Sequence, residues 1–298
     1  MQGRPFANTS FPTTVGCGAL LIWSLYALLV SEILVNLPIF ETAFLVFSIS
    51  FVAMAIRLTL KKQWSLVKQP FIIWLIGIIG VCGSDLAYVS AVKYAPPAHV
   101  DFIDYLWPFL VIVFTSFLPK EHFTLQHVIG GGLGLLGVFL LLTGGNGFIG
   151  FQGYYLQGYL YALAAAIIWS SYTVFSRWYQ NVPVEMVGMY CGVGALLTFG
   201  CHCHYETFVL PSPIEALLIV ILGLSSGLAY LFWTYGSQKG NVKLLGVLAY
   251  FTPVCSMGLL VFFEKEPMSI ALMLACVVFV SGVVVGSLDW KRVRSAFA

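Results

Sequence analysis

Tyr105-Leu-Trp-Pro108 and Tyr250-Phe-Thr-Pro253 share one frame, Tyr-x-x-Pro, and each lies inside an apolar stretch with the pattern of a helix. A proline within a helix removes one backbone hydrogen bond and crowds the carbonyl four residues earlier. Here those carbonyls belong to Asp104 and Ala249. In a bilayer such freed groups must find partners in protein or in a water-filled cavity. Paired interrupted segments in corresponding halves of a membrane chain mark the binding site of a transporter. The reading predicts helix kinks at Pro108 and Pro253, with a substrate cavity beside them.

The composition around these segments belongs to a membrane protein. The chain is 60% hydrophobic and 9% charged, with a mean hydropathy of +0.94. A soluble domain carries roughly 25% charged residues. Residues 128–176 contain no Asp, Glu, Lys or Arg. A membrane helix needs about 20 mostly apolar residues. Ten such spans are legible, near 14–31, 41–58, 70–92, 97–118, 126–143, 155–177, 184–203, 213–235, 243–263 and 268–287. A transmembrane barrel would instead show short alternating strands. The first span, followed by nine others, reads as mature structure rather than a secretory signal. The net charge of +2 comes with no basic cluster that would suit nucleic acid.

Cation placement gives an orientation. Lys and Arg in short loops mark the cytoplasmic side. With both termini inside, twelve of the fourteen cations fall on inner segments, leaving Lys93 and Lys265 outside. The sequence also repeats itself in order. Ile22–Tyr26 matches Ile168–Tyr172, Leu86–Tyr88 matches Leu228–Tyr230, and the Tyr-x-x-Pro frames, Glu121 with Glu266 and Gly137 with Gly282 follow at a constant offset. This divides the chain into a first five-helix repeat, 1–150, and a second, 151–298. An odd number of spans per repeat inverts the second copy. The expected fold is therefore an all-α integral membrane protein of ten helices, two inverted five-helix repeats around a central cavity, with the site near the midplane.

Aromatic and acidic residues sit at helical spacing in the middle of several spans. Trp23 and Tyr26 lie on one face, as do Trp169 and Tyr172. Both tryptophans fall mid-span, away from the interfacial belt. Asp85 and Tyr88 are again i,i+3, and a carboxylate inside a span faces a cavity or a partner. The fourth span carries Asp101, Asp104, Tyr105, Trp107 and Pro108. Asp101 is expected at the outer mouth with Lys93 and His99, and Asp104 deeper, beside the kink. Tyr230 and Trp233 on the eighth span and Tyr250 on the ninth extend the aromatic set into the second half. Such a lining stacks flat or apolar side chains and attracts ammonium groups.

Other motifs are excluded on context. Gly132-Leu-Gly-Leu-Leu-Gly137 has the spacing of a dinucleotide fingerprint, but no strand precedes it and it lies in a span. It reads as close helix packing through small residues. Cys201-His-Cys-His204 would need a loop to converge on a metal, because helical residues two apart point about 200° from one another. Asp101 and Asp104 share one helix rather than facing across two, which argues against an intramembrane aspartyl enzyme. No metal, cofactor or enzymatic activity is expected.

The order Asp85–Tyr88, Tyr105-Leu-Trp-Pro108, Leu142-Thr-Gly-Gly-Asn-Gly147, Trp169-Ser170, then Gly240-Asn-Val242 and Tyr250-Phe-Thr-Pro253 resembles the YddG-type amino-acid exporters of the bacterial drug/metabolite transporter superfamily (EamA-like). The resemblance runs from about Ala19 to Gly286. It implies ten helices in two inverted halves, an inner-membrane location, and export of aromatic and other neutral amino acids by alternating access. Trp23, Tyr88, Tyr105, Trp107 and Trp169 match positions that line the central cavity of that family. Asp85 stands where a relative has Glu, and Asp104 where that relative has Asn. A drug or quaternary-ammonium exporter of the same fold is the alternative; it would use the same aromatics.

Overall fold

The computed structural model describes residues 10–116, 125–142, 153–179, 181–240, 245, 248–249, 252–263, 265 and 267–287. Among them there is helix and no strand. In chain order the helices are α1 (Ser10–Trp23), α2 (Tyr26–Ile33), α3 (Ile39–Leu60), α4 (Phe71–Gly77), α5 (Ser84–Tyr94), α6 (Pro97–Asp104) and α7 (Trp107–Ser116). They continue as α8 (Leu125–Leu142), α9 (Leu156–Trp178), α10 (Met186–Tyr205), α11 (Pro213–Lys239), α12 (Thr252–Phe262) and α13 (Ile270–Ser287). Among the described residues, six helical units are long and apolar enough to cross a bilayer: Ser10–Ile33, Ile39–Leu60, Phe71–Tyr94, Gly153–Ser176, Met186–Tyr205 and Pro213–Lys239. Their outward faces are apolar, with Leu21, Leu196 and Leu217 among the exposed side chains, as hydrocarbon requires.

Three segments expected as single helices are interrupted, each for a local reason. The first breaks at Ser24-Leu25, where the Ser24 hydroxyl donates to the Leu21 carbonyl at 2.7 Å and competes with the helical ladder. The third opens into a π-helical turn over Ile78–Gly83 between α4 and α5. Two glycines around that turn admit rings from the second half. A Cβ on Gly77 would fall 2.2 Å from the Tyr190 ring, and one on Gly80 would fall 2.4 Å from the Tyr172 ring. The fourth breaks at Tyr105-Leu106, and Pro108 sits in the first turn of α7, where a missing N–H costs nothing. The break lies just ahead of the Pro108 ring. Pro253 occupies the first turn of α12; residues 250–251, on which its kink would turn, lie outside the described residues.

The helices pair across the two halves: α1 against α11, α3 against α10, α5 against α9, and α8 against α13. Small residues set the closest approach of the last pair. A Cβ on Gly282 would fall 2.5 Å from the Leu133 Cβ, and one on Gly137 would fall 2.8 Å from the Phe279 Cβ. Gly137 and the Leu133-Gly134 stretch of α8 therefore serve packing, while Gly132 faces open space. At one end of the molecule the halves exchange polar contacts. Glu206 accepts from the backbone N–H groups of Phe40 at 2.9 Å and Glu41 at 3.0 Å, capping α3 and complementing its dipole. Glu41 accepts in turn from the Val209 N–H at 3.0 Å. The helix α10 runs unbroken through Tyr205, so the Cys201–His204 side chains fan apart, and His202 turns to Glu206 at 3.1 Å.

Candidate functional site

Residues beside the interruptions in the first and fourth segments, with Ser84, Asp85 and Tyr88 of α5, line a common space, a cavity of about 530 Å³ counted out to its mouth. One wall is indole. Trp23 at the end of α1 meets Trp169 of α9 edge to face at 5.8 Å and Trp107 of α7 at 6.4 Å between ring centres. Tyr230 of α11 closes the set, 5.4 Å from Trp169. Trp233 stands behind this wall rather than on it, 5.2 Å from Trp107 and 5.4 Å from Trp23. Rings wedged edge to face hold one another in place. Ser170 adds a backbone brace: its hydroxyl donates to the Trp107 carbonyl at 2.9 Å, a group near the broken part of the fourth segment.

The opposite wall is acidic. Asp85 of α5 is 5% exposed and accepts from the Tyr26 hydroxyl at 2.6 Å, and Tyr230 lines the same cavity. Asp101 of α6 is 3% exposed, with the Tyr88 hydroxyl donating at 2.5 Å and the Ser256 hydroxyl of α12 donating to its other oxygen. Asp104 lines the cavity one turn further along α6 and makes no hydrogen bond with any described residue. Among the described residues, no Lys, Arg or His lines the space.

Of the residues expected from the sequence, Trp23, Asp85, Tyr88, Tyr105, Trp107, Trp169 and Tyr230 all border this one cavity. Tyr250 lies outside the described residues. Tyr172 turns away and lines a separate space with Tyr190. The placement of Asp101 at the outer mouth is corrected: it is deep and doubly bonded. Its supposed companions go elsewhere, Lys93 to the Leu34 carbonyl at 2.7 Å, where it neutralises the end of α2, and His99 to the Tyr159 hydroxyl at 2.9 Å. The signal was available, because Asp101 and Asp104 are i,i+3 and must share a face. Ser84 and Ser256, with nothing but a hydroxyl to mark them, could be found only by folding.

A model of the EamA-like transporter family matches the chain twice, over residues 12–143 and 156–288. The aromatic amino acid exporter YddG of Ancylobacter novellus is 41% identical over 287 residues, covering 96% of this chain and 100% of that protein. The protein of the same name in Salmonella typhimurium is 25% identical over 276 residues, covering 86% of this chain and 90% of the relative. A solved crystal structure of a protein 40% identical to this one superposes with a TM-score of 0.78, covering 96% of this chain and 99% of the other. With a double family match over most of its length and a relative this similar, the chain belongs to the EamA-like transporter family and is a multi-pass membrane transporter, not an enzyme.

Proposed function

We propose that this transporter exports aromatic and other neutral amino acids across the inner membrane by alternating access. The observation that carries the reading is the cavity itself. Three indoles and a tyrosine form a wall for a flat side chain, and carboxylates opposite them suit an ammonium group. The names of its relatives, aromatic amino acid exporters, point the same way. Trp23, Asp85, Tyr88, Tyr105, Trp107, Trp169 and Tyr230 are the substrate-facing residues in this reading, with Tyr250 as a further member.

The architecture that goes with it is ten spans in two inverted repeats, 1–150 and 151–298. The segment α6–α7 and the helices α8, α12 and α13 would add four spans to the six long ones. The double family match supports the repeat. So does the pairing pattern: under an exchange of halves, α1 on α11 becomes α9 on α5, while α3 on α10 and α8 on α13 map onto themselves. The cation distribution supports a cytoplasmic position for both termini.

The test is counterflow. Purified protein in proteoliposomes preloaded with unlabelled amino acid should accumulate labelled tryptophan, phenylalanine and other neutral amino acids. Running the panel with and without a pH gradient identifies proton coupling. Absence of counterflow for every amino acid would overturn the reading.

A further inference from the structure

We infer that the cavity holds its substrate by the ammonium group, at the Asp104 carboxylate, and does not require the substrate's own carboxylate. The inference rests on the amino-acid reading above and narrows the chemistry of that site. Most of the cavity's hydroxyl donors are already committed. Tyr26 donates to Asp85, while Tyr88 and Ser256 donate to Asp101. The Ser84 hydroxyl is turned to the Gly80 and Val81 carbonyls at 2.5 and 3.0 Å. A substrate carboxylate would find only the Tyr105 and Tyr230 hydroxyls and indole N–H groups. These are neutral donors, weaker than a charge-assisted bond. It would also sit among three aspartates with no facing cation from the described residues, where like charges repel.

An ammonium group meets the opposite situation. Asp85 accepts from one hydroxyl and Asp101 from two, but Asp104 lines the cavity without a hydrogen bond from any described residue. A cation there gains an unengaged carboxylate in a cavity also lined by the Tyr105 and Trp107 rings, which suit cation–π contact. The substrate class that fits is therefore a primary amine with an aromatic or large apolar side chain. The carboxylate is tolerated rather than recognised.

Competition against labelled tryptophan binding to purified protein tests this directly. Tryptophanamide and tryptamine, which keep the ammonium and lose the negative charge, should compete at least tenfold better than tryptophan. N-acetyltryptophan, which keeps the carboxylate and loses the ammonium, should compete at least tenfold worse. Asp104→Asn should lower the affinity for tryptophanamide at least tenfold and narrow its advantage over tryptophan, and Asp104→Glu should restore much of that advantage. Thermal melting of each variant establishes that it is folded; if Asp104→Asn is not, Asp104→Glu and the ligand series on the wild type still decide. The inference falls if the amide binds no better than tryptophan, if the N-acetyl compound binds as well, or if selectivity is unchanged in folded Asp104→Asn. In those cases tryptophan counterflow would leave the amino-acid reading standing. No binding or counterflow by any compound in the series would sink both.

Discussion

Each large side chain around the cavity is fixed by its neighbours, so single substitutions have separable effects. Trp107→Ala and Trp169→Ala remove rings from the indole wall without touching a charge. Aromatic pairing contributes roughly 0.5–1.5 kcal/mol beyond buried area. Each variant should therefore transport large apolar amino acids several-fold to about tenfold less well while inserting normally, measured as counterflow against the amount of reconstituted protein. Unchanged rates in both would mean that these rings serve packing alone. Tyr88→Phe acts differently. It takes one of two donors from a buried carboxylate, and a hydrogen bond to a charged group is worth about 1.5–3 kcal/mol. A lower melting temperature for the purified variant is expected; an unchanged one would indicate that the Tyr88–Asp101 contact contributes little. The indoles were legible in the sequence because tryptophan in mid-span is out of place in the interfacial belt. Ser256 was not, because a lone serine in an apolar helix carries no pattern.

The breaks in the helices decide how side chains of the two halves pack against one another. In the third segment the π turn and Gly80 leave room for the Tyr172 ring. Gly80→Ala would place a methyl group 2.4 Å from that ring, and overpacking of this kind costs about 1–3 kcal/mol. Gly83→Ala is the control, since its nearest neighbour would be the Ile79 side chain at 3.8 Å. Reduced thermal stability should appear in the first and not in the second; equal stability would show that Tyr172 can step aside. In the fourth segment Pro108→Ala supplies an N–H that can reach back across the break to the Asp104 carbonyl. If the break is a pivot, the variant should bind substrate as before and turn over more slowly. Normal turnover per folded molecule would rule the pivot out. The prolines marked the neighbourhood of an interruption in the sequence. The break at Ser24-Leu25 had no such marker, since serine bends a helix only when its hydroxyl takes the local carbonyl.

For the whole molecule, the orientation yields a prediction of sidedness. In a variant lacking the seven native cysteines, a single cysteine in the 144–154 segment should react with an impermeant maleimide in intact cells. One placed after Asp289 should react only after permeabilisation. Labelling of both from the same side would end the ten-span arrangement. The sequence by itself determined the solvent in which the chain folds, because a run as long and uncharged as 128–176 cannot be hidden by a soluble core. It also determined the helical class, since only helices and closed barrels satisfy the backbone in hydrocarbon. And it pointed to Trp23, Trp107 and Trp169, which stand mid-span, out of place for the interfacial belt, and which border the cavity. Only the tertiary structure decided that Asp101 is buried against Tyr88 and Ser256 while Asp104 is left open to the cavity. Both acids lie on one face of one helix, so no local pattern distinguishes them. What separates them is which side chains α5 and α12, distant in sequence, bring within hydrogen-bond reach.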